Sequence, residues 1–107
     1  MVRRGQIRWL LFDDAKARPG VVLTRDAVAG RLRSVMVAPV TSTIRDLPSE
    51  VRLGAEHGMP KACVINLDNV SLVDRSVLGE VLTQLDASMM RAVCDALAAA
   101  VGCSPDF

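Results

Sequence analysis

Aromatic residues are nearly missing from this chain: it has no tyrosine, one tryptophan and two phenylalanines, 3% of the sequence. Base-stacking platforms of the Phe or Tyr kind are excluded. The core must be aliphatic, because hydrophobic residues still make up 50% of the chain. Cysteine is sparse as well. Cys63, Cys94 and Cys103 are odd in number and form no CxxC pair, which argues against a disulfide framework and a zinc site and fits a reducing cytoplasm. Asp68 and Asp74 are too isolated to propose as a metal pair, so no metal or other cofactor is expected. Long apolar runs are also absent. The longest early one, Trp9 to Phe12, falls far short of a signal h-region or a membrane span. A soluble cytoplasmic protein with no membrane contact is expected.

At 107 residues the chain fits one ordinary domain, residues 1–107, able to bury roughly two-thirds of its unfolded surface. The formal net charge is only +1, yet the charges are unevenly spread. Arg3, Arg4, Arg8, Lys16, Arg18, Arg25, Arg31 and Arg33 crowd the first third, while Asp and Glu prevail after Asp46. That basic face either meets a polyanion or is a set of solvated strand edges. A mean hydropathy of +0.29 points either to a dimer or to a well-filled aliphatic core.

"GQIRWLLF" places Ile7, Trp9 and Leu11 on one side of a pleat, and Asp13, Asp14 and Lys16 follow as a polar loop. "PGVVLTR" and "SVMVAPVTST" are valine-dense strands, and Pro39 inside the second implies an edge or a bulge. "DAVAGR" between them closes one helical turn, capped by Asp26 and ended by Gly30. "SEVRL", "ACVINL" and "NVSLVD" are further short strands, separated by "GAEHGMPK" and by the turn-prone Asp68 and Asn69. The period then changes: Met90, Val93, Cys94, Leu97 and Val101 form a helical stripe, with Asp86 as N-cap, Leu85 stapled to Met90 and Gly102 as terminator. Five or six short strands and a C-terminal α-helix predict a mainly β (α+β) fold, a small curled antiparallel barrel.

Three blocks in order, "RRGQIRW", "RPGVVLTRD" and "VAPVTSTIRDLPSEVRL", are similar to the MazF/PemK family of toxin endoribonucleases. A fourth, "GMPKACVINLDNVSLVDRSVLGEVL", and the terminal helix resemble its second half, so the match runs from about residue 3 to residue 101. The resemblance implies an SH3-like barrel of the CcdB/PemK type and a homodimer. It also implies metal-independent cleavage of single-stranded RNA at a short sequence, and a cognate antitoxin with an acidic C-terminal segment. The family's catalytic arginine, before the proline of its second strand, falls on Arg18, and its catalytic threonine or serine falls on Thr41. RNA contacts are implied for Lys16, Ser42, Thr43, Arg45 and Asn69. Two stretches depart from the pattern. The family's early Arg-Gly-Asp reads Arg4-Gly5-Gln6, and the loop before Arg18 is short and lacks the glycines and glutamate often found there. The motif that often reads Asp or Glu, Gln, apolar, Arg or Lys is here Asp68-Asn69-Val70-Ser71, which keeps the amide and loses the basic residue.

The chemistry asks for these residue types. Attack of a ribose 2′-OH on the adjacent phosphorus gathers negative charge on the non-bridging oxygens. Arg18 offers a permanently charged planar fork, held near the sheet by the fixed φ of Pro19, and Thr41 offers a hydroxyl donor. Alternatively, Arg18 pairs with Asp13 or Asp14 and Thr41 is simply a strand residue. His57, the single histidine, lies outside the blocks that carry the resemblance and reads as a solvated loop residue. Two other functional classes are open: a CcdB-like gyrase-binding toxin, and a MazF-like module that binds RNA or protein without cutting. Against the first, the Trp-Gly-Ile ending of the gyrase binder is replaced by "CSPDF".

Overall fold

The computed structural model describes residues 1–13 and 16–103. Seven strands and two helices follow in the order β1 (Gln6–Leu10), β2 (Arg18–Val22), α1 (Asp26–Ala29), β3 (Ser34–Thr41), β4 (Glu50–Leu53), β5 (Cys63–Asn66), β6 (Ser71–Asp74), β7 (Leu78–Gln84) and α2 (Ala87–Ala100). Short 3₁₀ turns occupy Ala55–His57, Leu67–Asn69 and Arg75–Val77. All pairings are antiparallel. The strand order is β4-β5-β3-β2-β1-β7, with β6 beside β3.

The valine-rich β3 is the axis of the sheet. One edge pairs with β2, through Val22↔Val37, Val21↔Ala38 and Gly20↔Pro39. The other edge pairs first with β6, from Ser34 to Val37, and then with β5, at Val40 and Thr41. Pro39 was expected at an edge or bulge, yet it lies in this interior strand. The Met36 amide donates to Thr24 Oγ1 on the β2 side. By alternation, the amide that Pro39 lacks would face the opposite edge, in the gap where β6 has ended and β5 has not begun. No ladder bond is lost there.

Alternation along β3 also makes two cores. Ala38 and Val40 join Ile7, Val21, Ile65 and the α2 residues Met90, Val93 and Ala96. Val35 and Val37 join Leu10 and Val73 on the other face. Ile7, Val21, Val35 and Ile65 are fully buried, each contributing about 1.5–3 kcal/mol. The sheet curls until its ends approach: Gly58, at φ 83°, packs so closely on β7 that an added Cβ would lie 3.0 Å from Thr83 Oγ1. The result is the expected small barrel with a C-terminal helix.

Several local expectations need correction. β7 was not anticipated, because Gly79 and Glu80 interrupt its pattern and the strand is half-exposed throughout. It pairs only with β1, through a ladder broken between Ile7 and Arg8 and again between Arg8 and Leu10. Those irregularities undo the alternation expected of β1: Ile7 is buried and Trp9 half-buried, but Leu11 lies past the strand end and is exposed. β2 ends at Val22, and β6 begins at Ser71 because the Asn66 side chain caps a 3₁₀ turn over Leu67–Asn69. Asp26 does not cap α1. The N-cap is Arg25, and Asp26 Oδ1 accepts the Arg4 amide at 2.7 Å. At α2 the expected caps are present, with Asp86 Oδ1 accepting the Met89 amide at 2.8 Å. Gly102, at φ 75°, closes the helix as its amide donates to Ala99 O and the Cys103 amide to Ala98 O. The buried stripe is rotated from the one expected. Ala96 is buried while Cys94 and Val101 are exposed, because small alanines let the helix lie close to the sheet on a face that large residues do not mark.

Candidate functional site

Arg18 opens β2 and Thr41 closes β3. The ladder between the two strands ends at Gly20↔Pro39, and two residues beyond it Arg18 and Thr41 end their strands at the same end of the sheet. On the other side of β2, Leu10 pairs with Arg18 and Trp9 with Pro19. A cleft of about 460 Å³ opens at this end of the sheet. Lys16, Arg18 and Lys61 supply its positive charge, and Thr41 and Ser42 its hydroxyls. Trp9, Pro19, Pro39, Met59, Pro60 and Leu82 form its apolar surface. A larger hollow of about 620 Å³ lies at the opposite pole, between Arg3, Asp26, Gly30 and Arg75. It has no side-chain hydroxyl among those residues, and Arg75 is already engaged on the Gly30 carbonyl. The chemistry therefore favours the smaller cleft.

Thr41 Oγ1 accepts the Thr43 amide at 3.2 Å. That bond uses a lone pair, so the hydroxyl proton is left free to donate. Among the described residues no carboxylate pairs with Arg18; Asp14, a proposed alternative partner, lies outside them, as do residues 104–107 of the "CSPDF" ending. Burial pushes the Cys63 thiol up, and Lys61 pulls it partly back, so at neutral pH it is an inert neighbour on the cleft wall.

Of the residues expected to contact RNA, Lys16 and Ser42 line the cleft with Arg18 and Thr41. Thr43 and Arg45 are exposed in the loop that follows, where Glu50 Oε1 receives the amides of Arg45 and Leu47. Asn69 is exposed at the end of the 3₁₀ turn packed against α2, away from the cleft lining. Arg4 is far from the mouth as well, reaching Cys94 Sγ on α2 at 3.2 Å. His57 does not line the cleft, and its Nδ1 accepts the Gly54 amide at 3.1 Å, which closes a 3₁₀ turn. Sequence reasoning missed Trp9, Lys61 and Leu82. Lys61 could have been sought from its place after Gly58 and Pro60, in a turn that brings the chain back toward β5. Nothing in the sequence marks Leu82, since its strand was not expected. Among the described residues no three metal-ligating side chains come together, and no helix is long and apolar enough to cross a membrane.

Comparison with known proteins bears on the same residues. Residues 3–101 match the family model described as PemK-like, MazF-like toxin of type II toxin-antitoxin system. The chain is 45% identical to the protein named "Probable endoribonuclease MazF5" of Mycobacterium tuberculosis, over 94% of each chain. Its fold superposes with a TM-score of 0.84 on the Mycobacterium tuberculosis toxin MazF-mt6, at 34% identity and covering 92% of this chain and 98% of that one. A MazE-MazF crystal structure from Deinococcus radiodurans gives a TM-score of 0.80 at 30% identity, covering 96% and 98%. A family match over nearly the whole described barrel, with the same fold in relatives of this identity, has one reading: the chain belongs to the PemK-like, MazF-like toxins of type II toxin-antitoxin systems.

Proposed function

We propose that this toxin is an endoribonuclease that cuts single-stranded RNA at a short sequence, without a metal ion, by attack of the ribose 2′-OH on the adjacent phosphorus. Endoribonuclease is the activity in the names of its curated relatives. The observation that carries the finer reading is Arg18 and Thr41 lining one cleft from the ends of adjacent strands, the hydroxyl with its proton free to donate.

A phosphodiester in that position would place its non-bridging oxygens against the Arg18 fork and the Thr41 hydroxyl, with Lys16 and Lys61 raising the local positive potential. As the 2′-oxygen bonds to phosphorus, the bond to the 5′-oxygen breaks. The 2′-OH proton passes to water, and the leaving 5′-oxygen takes one from water. The products are a 2′,3′-cyclic phosphate and a 5′-OH end. Donors fixed in advance toward the charge that develops need no reorganisation during reaction. Among the described residues the cleft's charged side chains are all cations, with two hydroxyls beside them, a set suited to holding the phosphate directly.

The toxin works in the cytoplasm as a homodimer, and a cognate antitoxin with an acidic C-terminal segment silences it. The solved MazE-MazF relative supports the antitoxin. Met36 and Leu72, paired across β3 and β6 yet 44% and 68% exposed, support association of two copies.

Cleavage of a mixed RNA pool, followed by mapping of the new 5′ ends, tests the reading. Cutting should persist in EDTA and stop when the nucleotide at the cut carries a 2′-deoxy sugar. Efficient cleavage of the deoxy substrate, or strict dependence on added magnesium, would refute the mechanism.

A further inference from the structure

The cationic side of the cleft accounts for a phosphate and leaves the base unaccounted for. Trp9, the largest apolar side chain present, belongs to neither hydrophobic core. It is half-buried, and it lines the cleft beside its cross-strand partner Pro19, with Pro39 and Leu82 nearby. Leu82 is 38% exposed and is likewise outside both cores. An indole left out of the core forgoes burial it could have had, and in a cleft it presents a flat π-face at little conformational cost. Its position is also specific. Trp9 precedes Leu10, which pairs directly with Arg18. Trp9 and Arg18 leave opposite faces of the pleat, since Arg18 shares the face of its partner Leu10, and both reach the one cleft at the end of the sheet. A phosphate held by Arg18 and a base lying on Trp9 can then belong to one nucleotide or to adjacent ones.

We propose that Trp9, flanked by Pro19, is the stacking platform for the base of a nucleotide next to the scissile phosphate, and that it positions the phosphate on Arg18 and Thr41. The inference rests on the reading of the cleft as an RNA-cutting site. Stacking recognises a planar ring without reading its hydrogen-bonding edge, so Trp9 fixes where the chain sits more than which base is chosen.

The test is a cycle between protein and substrate. Wild type, Trp9→Ala and Trp9→Phe are assayed on a cleavable RNA, and on the same RNA with an abasic site at the nucleotide before or after the cut. On intact RNA, Trp9→Ala should lose about tenfold in kcat/KM, the scale of one lost base stack, and Trp9→Phe should recover most of it. On one of the two abasic substrates the three proteins should become equal, because the partner of the ring has gone. An equal Trp9→Ala penalty on intact and abasic RNA, or no penalty at all, overturns the proposal. If Trp9→Ala does not fold, wild-type fluorescence decides. Trp9 is the sole tryptophan and there is no tyrosine, so binding of a 2′-deoxy, uncleavable analogue should change its emission and the abasic analogue should not. Identical responses to the two analogues would overturn the stacking role. Wild type that cuts no RNA would instead refute the nuclease reading itself.

Discussion

In the proposed reaction Arg18 supplies a two-pronged cation and Thr41 a hydroxyl donor to the phosphate, and neither does the other's work. Arg18→Ala and Thr41→Ala should each lower cleavage by about a hundredfold or more, the cost of one missing preorganised donor, with thermal melts unchanged because Arg18 is exposed and Thr41 sits at a strand end. Arg18→Lys should fail nearly as badly, since an ammonium cannot reproduce the two-pronged contact. Single-turnover rates with the purified variants check both, and near-normal cutting by Arg18→Ala would remove it from the site. Their expected roles came from the resemblance to the MazF/PemK family; what local pattern gave was their placement, an arginine before a proline at a strand start and a threonine closing a valine-rich run. Trp9, Lys61 and Leu82 were not legible. They reach the cleft only through pairing of β1 with β2 and β7 and through the return of the chain after Gly58, relations that no local stretch encodes.

Among elements, the sequence was most informative where a residue acts within its own turn. The Asp86 cap, the Gly102 terminator and the placement of strands β2 to β5 follow from local chemistry. β7 escaped notice because an edge strand with one partner and bulged pairing has no buried face to impose alternation, and the α2 stripe was misjudged because alanines carried it. Local chemistry also gives the β6 terminus a pH signature. The Ser76 amide, then the Ser76 hydroxyl and Arg33, hold the Asp74 carboxyl below its ordinary value of 3.8. A group with a lowered folded pKa contributes stability that is full above its unfolded pKa and is lost as pH falls through the folded one. Melting temperature measured from neutral to strongly acid pH should therefore fall more steeply below about pH 4 in wild type than in Asp74→Asn, whose side chain cannot titrate. Superimposable curves would mean that the Asp74 contacts contribute nothing in solution.

On the scale of the molecule, the basic first third divides between two poles. Lys16 and Arg18 line the cleft, while Arg3, with Arg75 from later in the chain, lines the opposite hollow; sequence order alone gave no sign of the split. The uncovered apolar pair Met36 and Leu72 lies across the β3–β6 ladder on an open face of the sheet. Leu72→Asp should weaken association of two copies while sparing the fold, because the side chain is already 68% exposed; sedimentation over a concentration series reads this, and an unchanged dimer would put the seam elsewhere. The ladder between β1 and β7 has a consequence for the birth of the protein. It joins Gln6 to Gln84, so the first strand made, paired early with β2 on one edge, waits on its other edge for nearly the last. At about 5–20 residues per second of synthesis, that wait is on the order of several seconds, and such distant pairings are slow to form even afterwards. A growing chain holds Arg18 and Thr41 long before it holds Leu82 and the helix that seals the core. Until β7 pairs with β1 the cleft lacks Leu82 and that part of its wall, so its full lining is assembled only when synthesis is nearly over.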